Sequence, residues 1–79
     1  METNLVLYTR QRCHLCDAFI DELQQFQMDL LEEVTLRDVD ENKADCEAFG
    51  DKVPILFNGD IEICRYFFDA NKIESCLKL

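Results

Sequence analysis

A chain of 79 residues has room for one domain with a thin core, and a hydrophobic fraction of 48% argues against disorder. The net charge of -9, from 17 acidic and 8 basic residues, repels phosphate backbones and anionic lipid, so neither nucleic acid nor membrane is an expected partner. The five cysteines are an odd number, "METNLVLYTR" carries no basic leader, and no apolar run nears the roughly 20 residues of a membrane span. A cytoplasmic, reducing setting is therefore expected, where cysteine pairs serve catalysis, redox sensing or metal binding.

"NLVLYT" at 4–9 is a short continuous apolar run, the signature of a strand buried on both faces. After Cys13 and Cys16, the residues Cys16, Phe19, Ile20, Leu23 and Phe26 recur at helical spacing, with Leu30 one turn on, while Asp17, Asp21, Glu22 and Gln25 take the opposite side. This predicts an amphipathic helix of about four turns beginning near Cys13. "EVTLRDVD" at 33–40 alternates Val34 and Leu36 with polar residues and reads as a second strand. "NKADCEAFG" fits a short helix capped by Asn42 and stopped by Gly50.

"VPILF" at 53–57 is a strand opening on the only proline, and Asn58-Gly59 marks a hairpin with a type I′ turn. "DIEIC" returns antiparallel, with Ile61 and Ile63 on one face, and a last helix after Asp69 turns Ile73, Cys76 and Leu77 to the core. The order is β-α-β-α-β-β-α. It predicts an α/β fold with a four-stranded mixed sheet: the first two strands parallel through a right-handed crossover, the last two a hairpin.

Cys13 and Cys16 carry the chemistry. Positions i and i+3 at a helix start share one side of a turn, close to the α-carbon separation of about 5 to 6 Å that a disulfide tolerates. The first sulfur sits where helix amides lack partners and the macrodipole is positive, which favours a thiolate. Arg10, Arg12 and His14 surround it in an otherwise acidic chain and are candidates to tune that thiolate. Cys13 is then the attacking sulfur, and Cys16, on the apolar stripe, the resolving one. Asp17 suits a first-turn carboxylate. A closed zinc site wants four ligands, and this chain offers one knuckle with its single histidine inside it; no metal is expected. Cys64 and Cys76 read as core filling, and Cys46 as partly exposed.

Together these residues resemble the glutaredoxin branch of the thioredoxin-like superfamily over essentially all of residues 1–79, and above all its small bacterial members with a Cys-His-Leu-Cys motif. The resemblance implies a thioredoxin-like (glutaredoxin) fold with helices flanking the sheet. It implies a cis Val53-Pro54 bond beside Cys13, with the backbone before Pro54 pairing with substrate as an added strand. It also gives Arg10 the place of a lysine that would hold a glutathione carboxylate. Two departures fall on the glutathione groove and leave the dithiol chemistry intact. His14-Leu15 replaces Pro-Tyr between the cysteines. "ICRYFFD" replaces a glycine-rich turn, with Arg65, Tyr66 and Phe67 foreign to the pattern. Only Asp69 stands in for the aspartates of that turn.

The expected activity is that of a monomeric dithiol oxidoreductase acting on protein or small-molecule disulfides, including glutathione mixed disulfides. It needs no tightly bound cofactor, and glutathione or a thioredoxin-type reductase would recycle it in cellular redox homeostasis and electron transport. Two other readings stay open: a thioredoxin-fold binding module without turnover, and an iron–sulfur carrier using Cys13 with glutathione across a dimer.

Overall fold

The computed structural model of the chain describes residues 4–77, the Met28 side chain excepted. Strands β1 (Leu5–Thr9), β2 (Thr35–Asp38), β3 (Ile55–Asn58) and β4 (Ile61–Arg65) form one mixed sheet in the order β2-β1-β3-β4. β1 runs parallel to β2 and antiparallel to β3, which pairs antiparallel with β4. Helices α1 (His14–Phe26) and α2 (Met28–Glu33) make the crossover between the parallel strands. A 3-10 turn, Val39–Glu41, leads into α3 (Lys43–Phe49), and α4 (Ala70–Leu77) closes the fold.

Alternation along β1 builds two apolar faces. Leu5 and Leu7 join Phe19 and Leu23 of α1, Leu30 of α2, Leu56 of β3 and Ile73 of α4 in one core cluster. Each such side chain, fully removed from water, stabilises the fold by about 1.5 to 3 kcal/mol before entropy is counted. On the other face Tyr8 meets Phe49 of α3 at 4.4 Å and Phe57 of β3 at 5.8 Å between ring centroids. The helices thus cover both sides of the sheet, as an α/β layer structure requires.

Four details depart from the sequence reading. The apolar stripe from Cys16 to Leu30 is not one helix: Gln27 is extended at φ -160, ψ 107, so α1 stops at Phe26 and α2 restarts at Met28. Leu36, on the edge strand β2, is 52% exposed. The hairpin turn is centred on Gly59 and Asp60, between the paired Asn58 and Ile61. Of these two central residues only Gly59 has positive φ, at 60, the pattern of a type II′ turn rather than type I′. Finally, Leu56 faces Cys64 while Phe57 faces Glu62, so Ile63 is an extra residue in β4. That bulge lets the consecutive Ile63 and Cys64 both enter the core, whereas Ile61, at the strand's start, is largely exposed.

The end of β1, the start of β3 and the end of β4 lie together at one end of the sheet, because Tyr8 pairs with Ile55 and Ile55 with Arg65. Everything placed on the loops there shares a neighbourhood. Among the described residues no helix is long and apolar enough to cross a membrane.

Candidate active site

The loop leaving β1 turns at Gln11 and Arg12, with Arg12 at φ 57. This left-handed residue redirects the chain into Cys13, which is extended at φ -113, ψ 107 and caps α1. The cap is made by sulfur: the Cys16 backbone N–H donates to Cys13 Sγ at 3.1 Å, and the Asp17 N–H donates to the Cys13 carbonyl at 3.0 Å. An amide aimed at the sulfur is the local device that favours negative charge on it.

Cys13 and Cys16 stand at disulfide distance, with α-carbons 5.2 Å apart. Their exposures differ. Cys13 is half-buried, whereas Cys16 is 1% exposed beneath it. A partner sulfur can therefore reach Cys13 and not Cys16.

His14 and Arg12 are exposed beside Cys13, where the sequence reading put them. Arg10 has a different engagement. Its guanidinium donates Nε–H to Asp40 Oδ2 at 3.0 Å and Nη2–H to Asp40 Oδ1 at 3.1 Å, and Nη2 also lies 3.7 Å from Cys46 Sγ. The Cys46 thiol in turn donates toward Asp40 Oδ1 at 3.9 Å. The hydrogen bond and charge of Asp40 raise the Arg10 pKa further above its already basic value. Gly50 backs this cluster, since a Cβ there would lie 3.1 Å from Arg10 Nη2 and 2.5 Å from the Cys46 carbonyl oxygen. Asp40 and Cys46 as partners of Arg10 escaped the sequence reading; the only signal was a carboxylate just past β2, the strand parallel to β1.

Val53-Pro54 is cis, and Pro54 is fully buried one residue before β3. The register sets it at the Cys13 end of the sheet. The Tyr66 N–H donates to the Pro54 carbonyl at 2.7 Å, and the Tyr66 hydroxyl donates to the Asp51 carbonyl at 3.2 Å. Tyr66 itself is left-handed, at φ 69, and the Phe67 N–H donates back across it to the Arg65 carbonyl at 2.7 Å. That is a γ-turn of the strained kind. Arg65 is held on β4 by Glu62, with Nε–Oε2 and Nη2–Oε1 both 2.9 Å. Asp69 accepts the Lys72 N–H at 3.1 Å and so serves the start of α4. Among the described residues no group of three or more His, Cys, Asp or Glu gathers as a metal site.

Comparison with known proteins agrees with this layout. The sequence matches the family described as Glutaredoxin-like domain (DUF836) over residues 4–78. The solution structure of protein Ne2328 from Nitrosomonas europaea is 33% identical, with a TM-score of 0.79 over 96% of this chain and 92% of that one. The structural-genomics target protein XcR50 from X. campestris is 30% identical, with a TM-score of 0.74 over 94% and 95% of the two chains. Thioredoxin 1 from Thermosipho africanus, 20% identical with a TM-score of 0.60 over 95% and 94%, shares the fold. Among curated proteins none matches.

Proposed function

The chain belongs to the glutaredoxin-like domain family, and on that footing we propose that it is a thiol–disulfide oxidoreductase working through Cys13 and Cys16. The observation that supports this most is the pairing of two unlike sulfurs. One is reachable and receives a helix-terminal amide at 3.1 Å; the other is enclosed, at disulfide distance from it.

The reduced protein presents Cys13 as thiolate, held by the Cys16 amide and the helix terminus and assisted by Arg12 and His14. The thiolate attacks one sulfur of a substrate disulfide, and the other substrate sulfur leaves as thiolate, taking a proton from solvent. Cys16 then loses its proton and attacks Cys13 Sγ; the Cys13–substrate bond breaks and the second substrate thiol departs. The substrate disulfide is reduced by two electrons, and the protein dithiol becomes the Cys13–Cys16 disulfide. On this reading the Val53 backbone, just before the cis Pro54, pairs with the substrate chain. Glutathione or a thioredoxin-type reductase restores the dithiol, and no tightly bound cofactor takes part.

Alkylation and trapping test the reading. At pH 6 the reduced protein should lose Cys13 to iodoacetamide at least about tenfold faster than a free thiol of ordinary pKa near 8.5. Cys13→Ser should abolish exchange, and Cys16→Ser should accumulate a mixed disulfide on Cys13 visible by intact mass. Full exchange in Cys13→Ser would overturn the assignment. A protein whose Cys13 alkylates like a free thiol and which reduces nothing would instead be a binding module of the same fold.

A further inference from the structure

We propose, building on the oxidoreductase reading above, that the preferred substrate is a polypeptide disulfide with a bulky apolar side chain beside its reactive cysteine, not a glutathione mixed disulfide, and that Phe67 selects it. Phe67 is 70% exposed, yet the backbone on both sides of it is anchored. The residue before it, Tyr66, is pinned to the Pro54 carbonyl and the Asp51 carbonyl. The residue after it, Phe68, packs edge-on against Phe19 and Phe26 of α1, both at 5.6 Å between centroids. The strained γ-turn at Tyr66 lies between these anchors. Strain of this sort persists only where the surroundings impose it, and it gathers at ligand clamps. Its effect here is to present an aromatic ring to water at the end of the sheet that carries Cys13 and Pro54.

Leu15, between the two cysteines, adds a second apolar side chain at 40% exposed. Exposed aromatic side chains are over-represented among the anchors at the centre of protein interfaces, where they fill apolar pockets of the partner. Charge weighs against the alternative. Glutathione carries two carboxylates and one amine, a net negative ligand for a chain of net charge -9. The one arginine positioned by the family resemblance to receive a carboxylate has its guanidinium fork already closed on Asp40. A neutral or basic polypeptide carries no such charge penalty.

Single-turnover reduction with the pre-reduced protein tests this without a recycling partner. The second-order rate constant is measured for a disulfide-linked peptide with Leu or Phe next to its cysteine, and for the mixed disulfide of glutathione with cysteine. The wild-type ratio should favour the peptide by at least about tenfold, the scale on which one apolar contact discriminates. Phe67→Ser should cut that ratio by about tenfold, and Phe67→Leu, which restores an apolar side chain, should keep it within about threefold. Substitution at so exposed a position leaves the core untouched, and circular dichroism confirms folding. A wild-type ratio near one, or a Phe67→Ser ratio equal to wild type, would overturn the selection by Phe67 while leaving the oxidoreductase reading in place. Reduction of neither compound would overturn both.

Discussion

The Arg10 guanidinium meets the Asp40 carboxylate through two parallel hydrogen bonds, at 3.0 and 3.1 Å, and touches the Cys46 sulfur at 3.7 Å. The fork geometry ties the loop that carries Cys13 to the turn after β2 and offsets the charge of Arg10. Removing the acid should release that positive charge toward Cys13. Asp40→Asn is therefore expected to move the pH midpoint of Cys13 alkylation downward, and Arg10→Gln to move it upward, each by less than about one pH unit at low salt. Added salt should shrink both shifts. Midpoints that stay fixed in both variants would show that the Arg10 charge does not reach the nucleophile.

Tyr66 invites a test of its backbone. At φ 69 a side chain is crowded by its own carbonyl, a conformation glycine adopts without that penalty. Tyr66→Gly should therefore be more stable than Tyr66→Ala by about 1 kcal/mol, the reverse of their order in a helix. Tyr66→Phe, which loses only the hydroxyl bond to the Asp51 carbonyl, should cost about 1 kcal/mol. Urea unfolding of the three variants gives the ranking directly, and an alanine variant at least as stable as the glycine one would show that the left-handed backbone is not the constraint.

Much of this was legible beforehand, for identifiable reasons. "NLVLYT", the Cys13 helix start, the Asn42 cap and the hairpin are local signals, each encoded in a few adjacent residues, and each has its counterpart in β1, α1, α3 and β3–β4. What the residue pattern hid was set by partners distant in sequence or by backbone geometry. The spacing from Phe26 to Leu30 is helical whether or not Gln27 breaks the backbone, so the division into α1 and α2 left no trace in it. The bulge at Ile63 was invisible because alternation assumes a regular ladder. The Asp40 side chain that engages Arg10 lies 30 positions along the chain. Arg65, Tyr66 and Phe67 stood out only as a departure from the family pattern, and their γ-turn became apparent through the contacts to Pro54 and Asp51.

Cys64 should make stability depend on alkaline pH. Its thiol lies in the core, and burial pushes its pKa above the ordinary thiol value, since the charged form is disfavoured there. The folded state thus holds the proton more tightly than the unfolded one. The stabilisation is fully present below the unfolded thiol pKa and is lost as pH rises through the folded value. Cys64→Ala lacks this proton linkage, so the stability advantage of the wild type over the variant should be constant from pH 6 to about 8 and shrink above it. Urea midpoints at neutral pH and at pH 10 decide the matter; an advantage that stays level or grows with pH would contradict the burial of this thiol.

Leu23 and Leu36 are the same residue in opposite settings, and their contrast tests the packing that positions the active site. Leu23 has no accessible surface and joins Leu5, Leu7 and Ile73 in the core, whereas Leu36 is 52% exposed on the edge strand. Truncating Leu23 removes apolar contacts and opens a cavity beneath α1, the helix whose first turn holds Cys13 and Cys16. Leu23→Ala should cost about 2 to 5 kcal/mol, a large share of what a domain of this size holds in reserve. Leu36→Ala leaves no cavity and should cost less than about 1 kcal/mol. Because α1 is seated on the sheet by this residue, the Leu23 variant should also lose part of the asymmetry between the two active-site thiols. Differential alkylation of the reduced protein should find Cys16 modified sooner than in wild type, while Leu36→Ala keeps the wild-type order. Equal losses of stability in the two variants would mean that α1 is not held on the sheet through Leu23.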